Sequence, residues 1–385
     1  MEAIVDQIQS LAKGAGEAEK SRILDTLLRL QRELESPMDV IMRIFNAQIS
    51  LSVTYVAVEL GLFRKLTDSG STSVSGSQLA TETKASPDLV ERILRYLASA
   101  GFLDNPGSGE YRPNNLTYFL ASPVADAGIA HALDTCGPAI QALPSFLAET
   151  QYQDIIENTK TPFQKGHKTS LGAFQWLSER PKNFLALQQI MTAIQSAAWL
   201  NGLDVLNQAA LDVPSGSERP FFVDVGGGHG HQCKQLLDKH PNLHGSLVLE
   251  DLPQAIDKLP PIDGVKVIGQ DFFERQTVRD AKFYYLRRIM HDWPDTECLT
   301  ILSRLSEAMA SDSIILIDEI VLPDANVPWQ AAMQDMSMNI LFAGKERTRK
   351  QWESLITTSG LKQKEIRTYS LSACSSVIVL EKSVG

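Results

Sequence analysis

The run Phe221-Phe-Val-Asp-Val-Gly-Gly-Gly-His-Gly230 carries an apolar segment straight into closely spaced glycines. Glycine is required where a backbone must turn tightly and admit a ligand that a Cβ would block, so Gly226, Gly227, Gly228 and Gly230 are candidate ligand contacts. The next apolar run ends in Glu250-Asp251-Leu252, and an acid at the end of a second strand is placed to accept hydrogen bonds from ribose hydroxyls. The alternative for Asp251 is to cap a helix starting at Leu252-Pro253. The glycines are spaced G-x-G-x-G, not G-x-G-x-x-G, and Asp224 stands ahead of them. This favours S-adenosylmethionine, zwitterionic and without a pyrophosphate, over a dinucleotide. Further on, Asp271-Phe272-Phe273 offers an acceptor for an amino group and a flat apolar wall, or simply a turn acid and two core phenylalanines.

A second constellation follows the fourth expected strand: Arg287-Arg288-Ile-Met-His291-Asp292-Trp293-Pro-Asp295. It lies where ligands of open α/β sheets bind, outside the carboxyl ends of the strands. A lone histidine is more often structural. Here Asp318-Glu319 and the Glu346 of Gly344-Lys-Glu-Arg-Thr supply acids that could hold an imidazole in its charged form. A phenol of pKa ~10 is roughly 0.1% ionised at pH 7, so a base that removes its proton offsets up to about 4 kcal/mol.

Those residues need a sheet. After Pro214, short β-rich runs alternate with helical stretches: Phe221–Val225, Ser246–Leu249, Val265–Ile268, Phe283–Leu286 and Ser313–Ile317, then Gln363–Thr368 and Ser375–Leu380. The alternation predicts a mostly parallel sheet covered by helices on both faces. Residues 126–215 read as mainly helical. Towards the N-terminus, Ile4, Ile8 and Leu11, then Ile23, Leu27 and Leu30, recur at helical spacing and demand a partner surface. Ser86-Pro87 starts a helix with Val90, Ile93, Leu94 and Leu97 on one face, and Asn105 to Tyr111 reads as a hairpin tip. Helix, helix, helix, hairpin is a winged-helix order. The stretch Ile49 to Leu62, broken by Ser50, Ser52, Thr54, Tyr55 and Glu59, is expected to be a buried helix and not a membrane span.

Composition narrows the partners. A net charge of −10 opposes a sequence-independent grip on nucleic acid. Cys136, Cys233, Cys298 and Cys374 lie far apart, without a C-x-x-C pair, as expected of reduced cysteines in a cytoplasmic protein. No metal-ligand cluster is visible in the spacing, and the acidic N-terminus lacks the features of a signal peptide.

In order along the chain, V-D-V-G-G-G-x-G, D-L-P, G-x-D-F-F, H-D-W-x-D, E-x-x-L-P and G-K-E-R-T resemble the caffeate- and flavonoid-type O-methyltransferases of plants and their fungal secondary-metabolite relatives. The resemblance implies a homodimer of α/β class: a winged-helix dimerisation domain at 1–125, a helical linker lining the acceptor pocket at 126–205, and a Rossmann-like cofactor domain at 206–385. It implies S-adenosylmethionine held by Asp224, Gly226, Gly227, Gly228, Gly230, Asp251, Leu252, Asp271 and Phe272, with Arg287 where plant members often have a lysine. It implies His291 as general base, supported by Glu319 and Glu346 with Asp292 beside it, and no metal. Acceptor contacts would come from Leu187, Met191 and Gln195 on a linker helix, from His131, and from Arg288 and Met338. Some fungal members of similar sequence bind the cofactor and catalyse pericyclic reactions, with Arg287, Arg288 and His131 as the groups that would serve a carbonyl here.

Overall fold

The computed structural model describes residues 2–70, 72–193, 196–214, 217–257 and 259–383. The chain packs into two compact units, one of Met1–Ile23, Leu143–Gly172 and Gln195–Gly385, the other of Leu24–Ala142 and Ala173–Ile194.

In the smaller unit a capping box starts the long helix. Ser36 accepts from the Asp39 amide while the Asp39 carboxylate accepts from Ser36, and Pro37 occupies the first turn. Two amphipathic helices precede this helix, α3 (Pro37–Glu59), along the chain: α1 (Glu2–Gly14), which belongs to the larger unit, and α2 (Glu17–Leu34), which is divided between the two at Leu24. Then come α4 (Leu62–Asp68), β1 (Val74–Ser75), α5 (Gly76–Thr83), α6 (Pro87–Ser99), β2 (Asp104–Gly107) and β3 (Glu110–Arg112), which form the expected helices and a three-stranded wing in the order β1-β3-β2. Ser86 is the N-cap residue of α6, though its side chain makes no capping bond, and Val90, Ile93, Leu94 and Leu97 are buried as predicted.

One expectation about α3 needs correction. Between Ile49 and Leu62 only Thr54, Ala57 and Leu62 are buried, because most of the apolar surface of α3 points away from its own chain. Over its 23 residues α3 is long and apolar enough to cross a membrane by length and composition alone, a test that helices outside membranes also pass, so the expectation that it is no span is not overturned.

The larger unit is built on a sheet ordered β10-β11-β8-β7-β4-β5-β6, from β4 (Phe222–Val225), β5 (Leu247–Asp251), β6 (Val265–Gly269), β7 (Phe283–Arg287), β8 (Ile314–Leu322), β10 (Leu361–Ser370) and β11 (Ser375–Lys382). A short strand, β9 (Arg347–Thr348), runs parallel to the far end of β8. Strands β4 to β8 are parallel, and the near-continuous apolar runs of β4, β5, β7 and β8 are buried on both faces, as parallel strands require, while the edge strand β6 is only partly covered and exposes Lys266. One face packs Val223, Tyr284, Ile315 and Ile317, the other Phe222, Tyr285, Leu316 and Val377. From β4 the chain winds outwards through β5 and β6, then returns to lay β7 on the other side of β4. That reversal opens a crevice at the carboxyl ends of β4 and β7, the position where open α/β sheets bind ligands.

Candidate active site

The glycine loop leaves β4 at this crevice. The Gly226 and Gly227 amides donate to the Glu250 carbonyl at 2.8 and 3.1 Å, and the Gly228 amide donates to Asp251 Oδ2 at 2.8 Å. Asp251 Oδ1 also accepts from the Leu252 amide at 2.7 Å, but Leu252 is the N-cap residue of the helix Pro253–Ile256 and that helix has no side-chain capping bond, so Asp251 braces the loop and does not cap the helix. A Cβ on Gly226 would stand 2.6 Å from Ile289 Cδ1 and 3.6 Å from Phe272, and one on Gly227 would overlap Asp224 and Leu249. Gly228 faces open space with φ +56°, followed by the helix His231–Lys239. The result is a glycine loop whose Gly226 lies against Ile289 and Phe272 and whose Gly228 opens to space.

Three acids near this loop differ in environment. Asp224 is buried beneath Gly227, where burial and the nearby Asp251 push its carboxyl up to about 7. Glu250 accepts from Gln276 at 2.8 Å and is pushed to about 7 by burial. Asp251 alone is partly open, its pKa raised by burial against the pull of the two amides. Asp271 Oδ1 accepts from the Phe273 amide at 2.9 Å, and Phe272, Phe273 and Trp293 pack edge to face.

The second constellation converges more tightly than its spacing suggests. His291 Nδ1 lies 2.8 Å from Glu346 Oε1 and 3.8 Å from Glu319 Oε2, and Nε2 lies 3.6 Å from Asp292 Oδ1. Glu319 Oε1 accepts the amides of Ile289, Met290 and His291 at 3.0, 2.9 and 3.4 Å. Burial alone would depress the imidazole, but Glu319, Asp292 and Glu346 outweigh it and hold the pKa at about 9. Asp292 is itself pushed to about 7 by burial. His291, Glu319 and Glu346 each present one ligand-type atom within 4.8 Å, so the expectation that no such cluster forms was incomplete. Hydrogen bonds already engage Nδ1 and Glu319 Oε1, and the arrangement reads as an imidazole clamped by acids.

Asp318, adjacent to Glu319 in β8, points to the opposite face. It accepts from Tyr285 and Tyr369 hydroxyls at 2.6 and 2.9 Å and stands 3.6 Å from Arg287, whose Nη1 donates to the Ser196 carbonyl. Arg288 holds a left-handed backbone, φ 55°, donates to Ser375 Oγ at 3.1 Å and leaves Nη1 buried without a hydrogen-bond partner, in an ion pair with Glu346 at 3.9 Å. Glu319 Oε2 and Glu346 Oε2 are likewise buried without a hydrogen-bond partner.

The remaining predicted residues fall elsewhere. Met338 is buried in the helix Trp329–Phe342, because the turn it occupies faces the core, whereas Trp329, Met333 and Met336 on that helix are exposed at i, i+4, i+7 spacing that could have been read from the sequence. His131 begins a π-helical turn, His131–Cys136, with Nδ1 buried and unpartnered and its pKa lowered by burial. Leu187 is half-buried and Met191 exposed on the helix Pro181–Ala193, and Gln195 lies outside the described residues.

An O-methyltransferase domain model matches residues 150–362 and an O-methyltransferase dimerisation domain model matches residues 42–123. The demethylsterigmatocystin 6-O-methyltransferase of Aspergillus flavus is 35% identical over 99% of this chain and 98% of its own length. The O-methyltransferase lepI of the same organism is 33% identical over 98% of each chain. The structure of LepI in complex with SAM superposes with a TM-score of 0.92 at 33% identity, covering 99% of this chain and 98% of that one. A structure described as a pericyclic reaction enzyme gives the same TM-score and identity over 99% of both chains. With glycine loop, acid-clamped histidine and both domain models in place, the chain belongs to the S-adenosylmethionine-dependent O-methyltransferase family, among relatives from fungal secondary metabolism.

Proposed function

We propose that this enzyme methylates a phenolic or enolic hydroxyl of a polyketide-like metabolite with His291 as general base. The observation that carries the reading is the His291–Glu346 hydrogen bond at 2.8 Å. It places the Nδ1 proton towards Glu346 and leaves Nε2 as the proton acceptor. With the imidazole held at about 9, a proton leaving a phenol of pKa ~10 climbs only about one unit, or ~1.4 kcal/mol. Bound S-adenosylmethionine supplies an electrophilic methyl group. Gly226, Gly227, Gly228 and Gly230 would admit it, Asp251 and Leu252 would hold its ribose side, and Asp271 with Phe272 its adenine. Asp224 would act through the loop above it, and Arg287 would face the cofactor edge. Glu319 would fix the loop that carries the base. Acceptor contacts are assigned to His131, Leu187, Met191, Gln195 and Arg288. Trp329, Met333 and Met336 are better placed for such a role than the buried Met338.

The exposed apolar faces of α1 and α3 support a homodimer through the N-terminal region, and the four cysteines, all free, suit a cytoplasmic setting. Demethylsterigmatocystin, named in the 35% identical relatives, is the first acceptor to try. Incubation with S-adenosylmethionine should give S-adenosylhomocysteine and a methylated product in equal amounts. A second reading, a cofactor-dependent pericyclase, is favoured by the LepI likeness and by Arg288 Nη1, buried without a hydrogen-bond partner. An acceptor that isomerises at constant mass, with the cofactor intact, selects that reading.

A further inference from the structure

We infer that Arg347 is a positioning residue for His291: its buried guanidinium fixes the carbonyl side of the loop whose amide side is fixed by Glu319. Arg347 is fully buried, which is costly for a cation unless every donor is satisfied. Its donors are spent on the His291 loop. Nη1 donates to the Met290 carbonyl at 2.9 Å, Nη2 to the Trp293 carbonyl at 2.9 Å, and Nε and Nη2 to Asp295 Oδ1 at 2.9 and 2.7 Å. The Cys298 thiol adds a weak bond to the same Met290 carbonyl at 3.2 Å.

Two buried charges of opposite sign therefore grip one short turn, Met290–Asp292, the anion from β8 on its amides and the cation from β9 on its carbonyls. The chain around Arg347 completes the grip. The Lys345 amide donates to the His291 carbonyl at 3.0 Å, Gly344 has no Cβ because one would overlap that carbonyl, and Glu346 takes Nδ1. A lysine could keep the charge of Arg347 but not its planar fork, so it would hold one carbonyl and lose the other. Asp295, half exposed, anchors the fork from the start of the helix Asp295–Ala308 and also pairs with Lys345 at 2.8 Å.

The inference rests on reading His291 as the base. The two fail separately, since wild-type methyl transfer by His291→Gln removes the base and says nothing of Arg347. The test needs no acceptor. Full-length wild type, Arg347→Lys and Asp295→Asn are labelled with 13C and 15N at histidine, and S-adenosylhomocysteine binding checks each fold. The His291 signal is the one missing from His291→Gln. The groups facing it are Glu319, Glu346, Asp292 and Arg288, with Asp335 behind Glu346 through a 2.8 Å bond to its amide. In Arg347→Lys, where charge is kept, the His291 pKa should fall by about one unit or more towards 6.5 as the imidazole leaves its acids. The neutral ring, Nδ1-protonated in wild type, should become a mixture of tautomers in both variants. An unchanged pKa and a pure Nδ1–H tautomer in Arg347→Lys overturn the inference. If Arg347→Lys fails to bind S-adenosylhomocysteine, a pure Nδ1–H tautomer in Asp295→Asn overturns it.

Discussion

Glu346 Oε1 stands 2.8 Å from His291 Nδ1, while Glu319, a second acid on that side of the ring, spends its Oε1 on three backbone amides. The two glutamates thus do different work, one on the imidazole and one on its loop. His291→Gln should lower turnover of an accepted phenol by roughly 10²- to 10⁴-fold, the range of a lost general base. Glu346→Gln retains an oxygen for Nδ1–H but removes the charge, and should lower turnover by about tenfold with cofactor KM unchanged. S-adenosylhomocysteine release measures both. Equal losses in the two variants would place the charge of Glu346, and not the ring, at the centre of the chemistry.

Activity and stability should run in opposite directions with pH. The free enzyme must present neutral His291, held at about 9, so kcat/KM should climb with pH and level off above about 9. A histidine raised above its unfolded value of about 6.5 contributes stability that is complete below that pH and is lost as pH rises through 9. Asp224, Glu250 and Asp292, raised to about 7, bind protons more tightly when folded, so their share is lost between about 4 and 7. Below about pH 6.5 His131, His231 and His240, lowered by burial, work the other way, so Tm of the cofactor-free protein should fall from about pH 6.5 to 9. A Tm that rises over that interval would contradict the buried placement of these groups.

Much of the sheet was legible because each strand is a contiguous apolar run, and the glycine loop because its neighbours in sequence are its neighbours in space. The clamp on His291 was different. Glu319 and Glu346 reach the ring only because β9 pairs with the end of β8, a contact no local pattern announces. Their residue types and positions mark them as acids that could flank an imidazole, and the family resemblance adds which of them support it. Arg347 was passed over inside G-K-E-R-T, since an arginine in a sequence reads as surface until its carbonyl partners are known. Helix α3 was misread for the opposite reason: its apolar residues were assigned to a core, yet within one chain there is little to cover them.

Asp251 ties the glycine loop together from the strand side, so on the proposed assignment its loss should be felt in cofactor binding and not in folding. Asp251→Ala removes the carboxylate that receives the Gly228 and Leu252 amides and, on the proposed assignment, a charged hydrogen bond to ribose. A charged hydrogen bond of about 1.5–3 kcal/mol corresponds to a rise in S-adenosylhomocysteine Kd of roughly 10- to 150-fold. Glu250→Gln, at the acid that faces Gln276 and not the glycine loop, should change Kd by less than about threefold. Calorimetry on the two variants decides which acid holds the ribose. The reverse ranking would move the assignment to Glu250.

The apolar faces of the N-terminal helices make the last prediction. On α3, Met38, Ile41 and Phe45 are 63%, 60% and 59% exposed in the single chain, with Met42 and Ile44 beside them, and α1 has no buried residue at all. Contiguous exposed apolar surface on this scale marks an interaction face. The dimerisation domain model begins at residue 42, within this helix. A second copy of the chain is the occupant that explains both. Phe45→Glu would place a carboxylate in the buried centre of that face, where an unpaired charge is strongly unfavourable. Light scattering in detergent-free buffer should give a dimer for wild type and a monomer for Phe45→Glu, with S-adenosylhomocysteine binding retained because the glycine loop lies in the other unit. A membrane span would behave otherwise: wild type would aggregate without detergent, and the glutamate would improve its solubility. A wild-type monomer at micromolar concentration would leave the exposed face of α3 without its partner and reject the dimer.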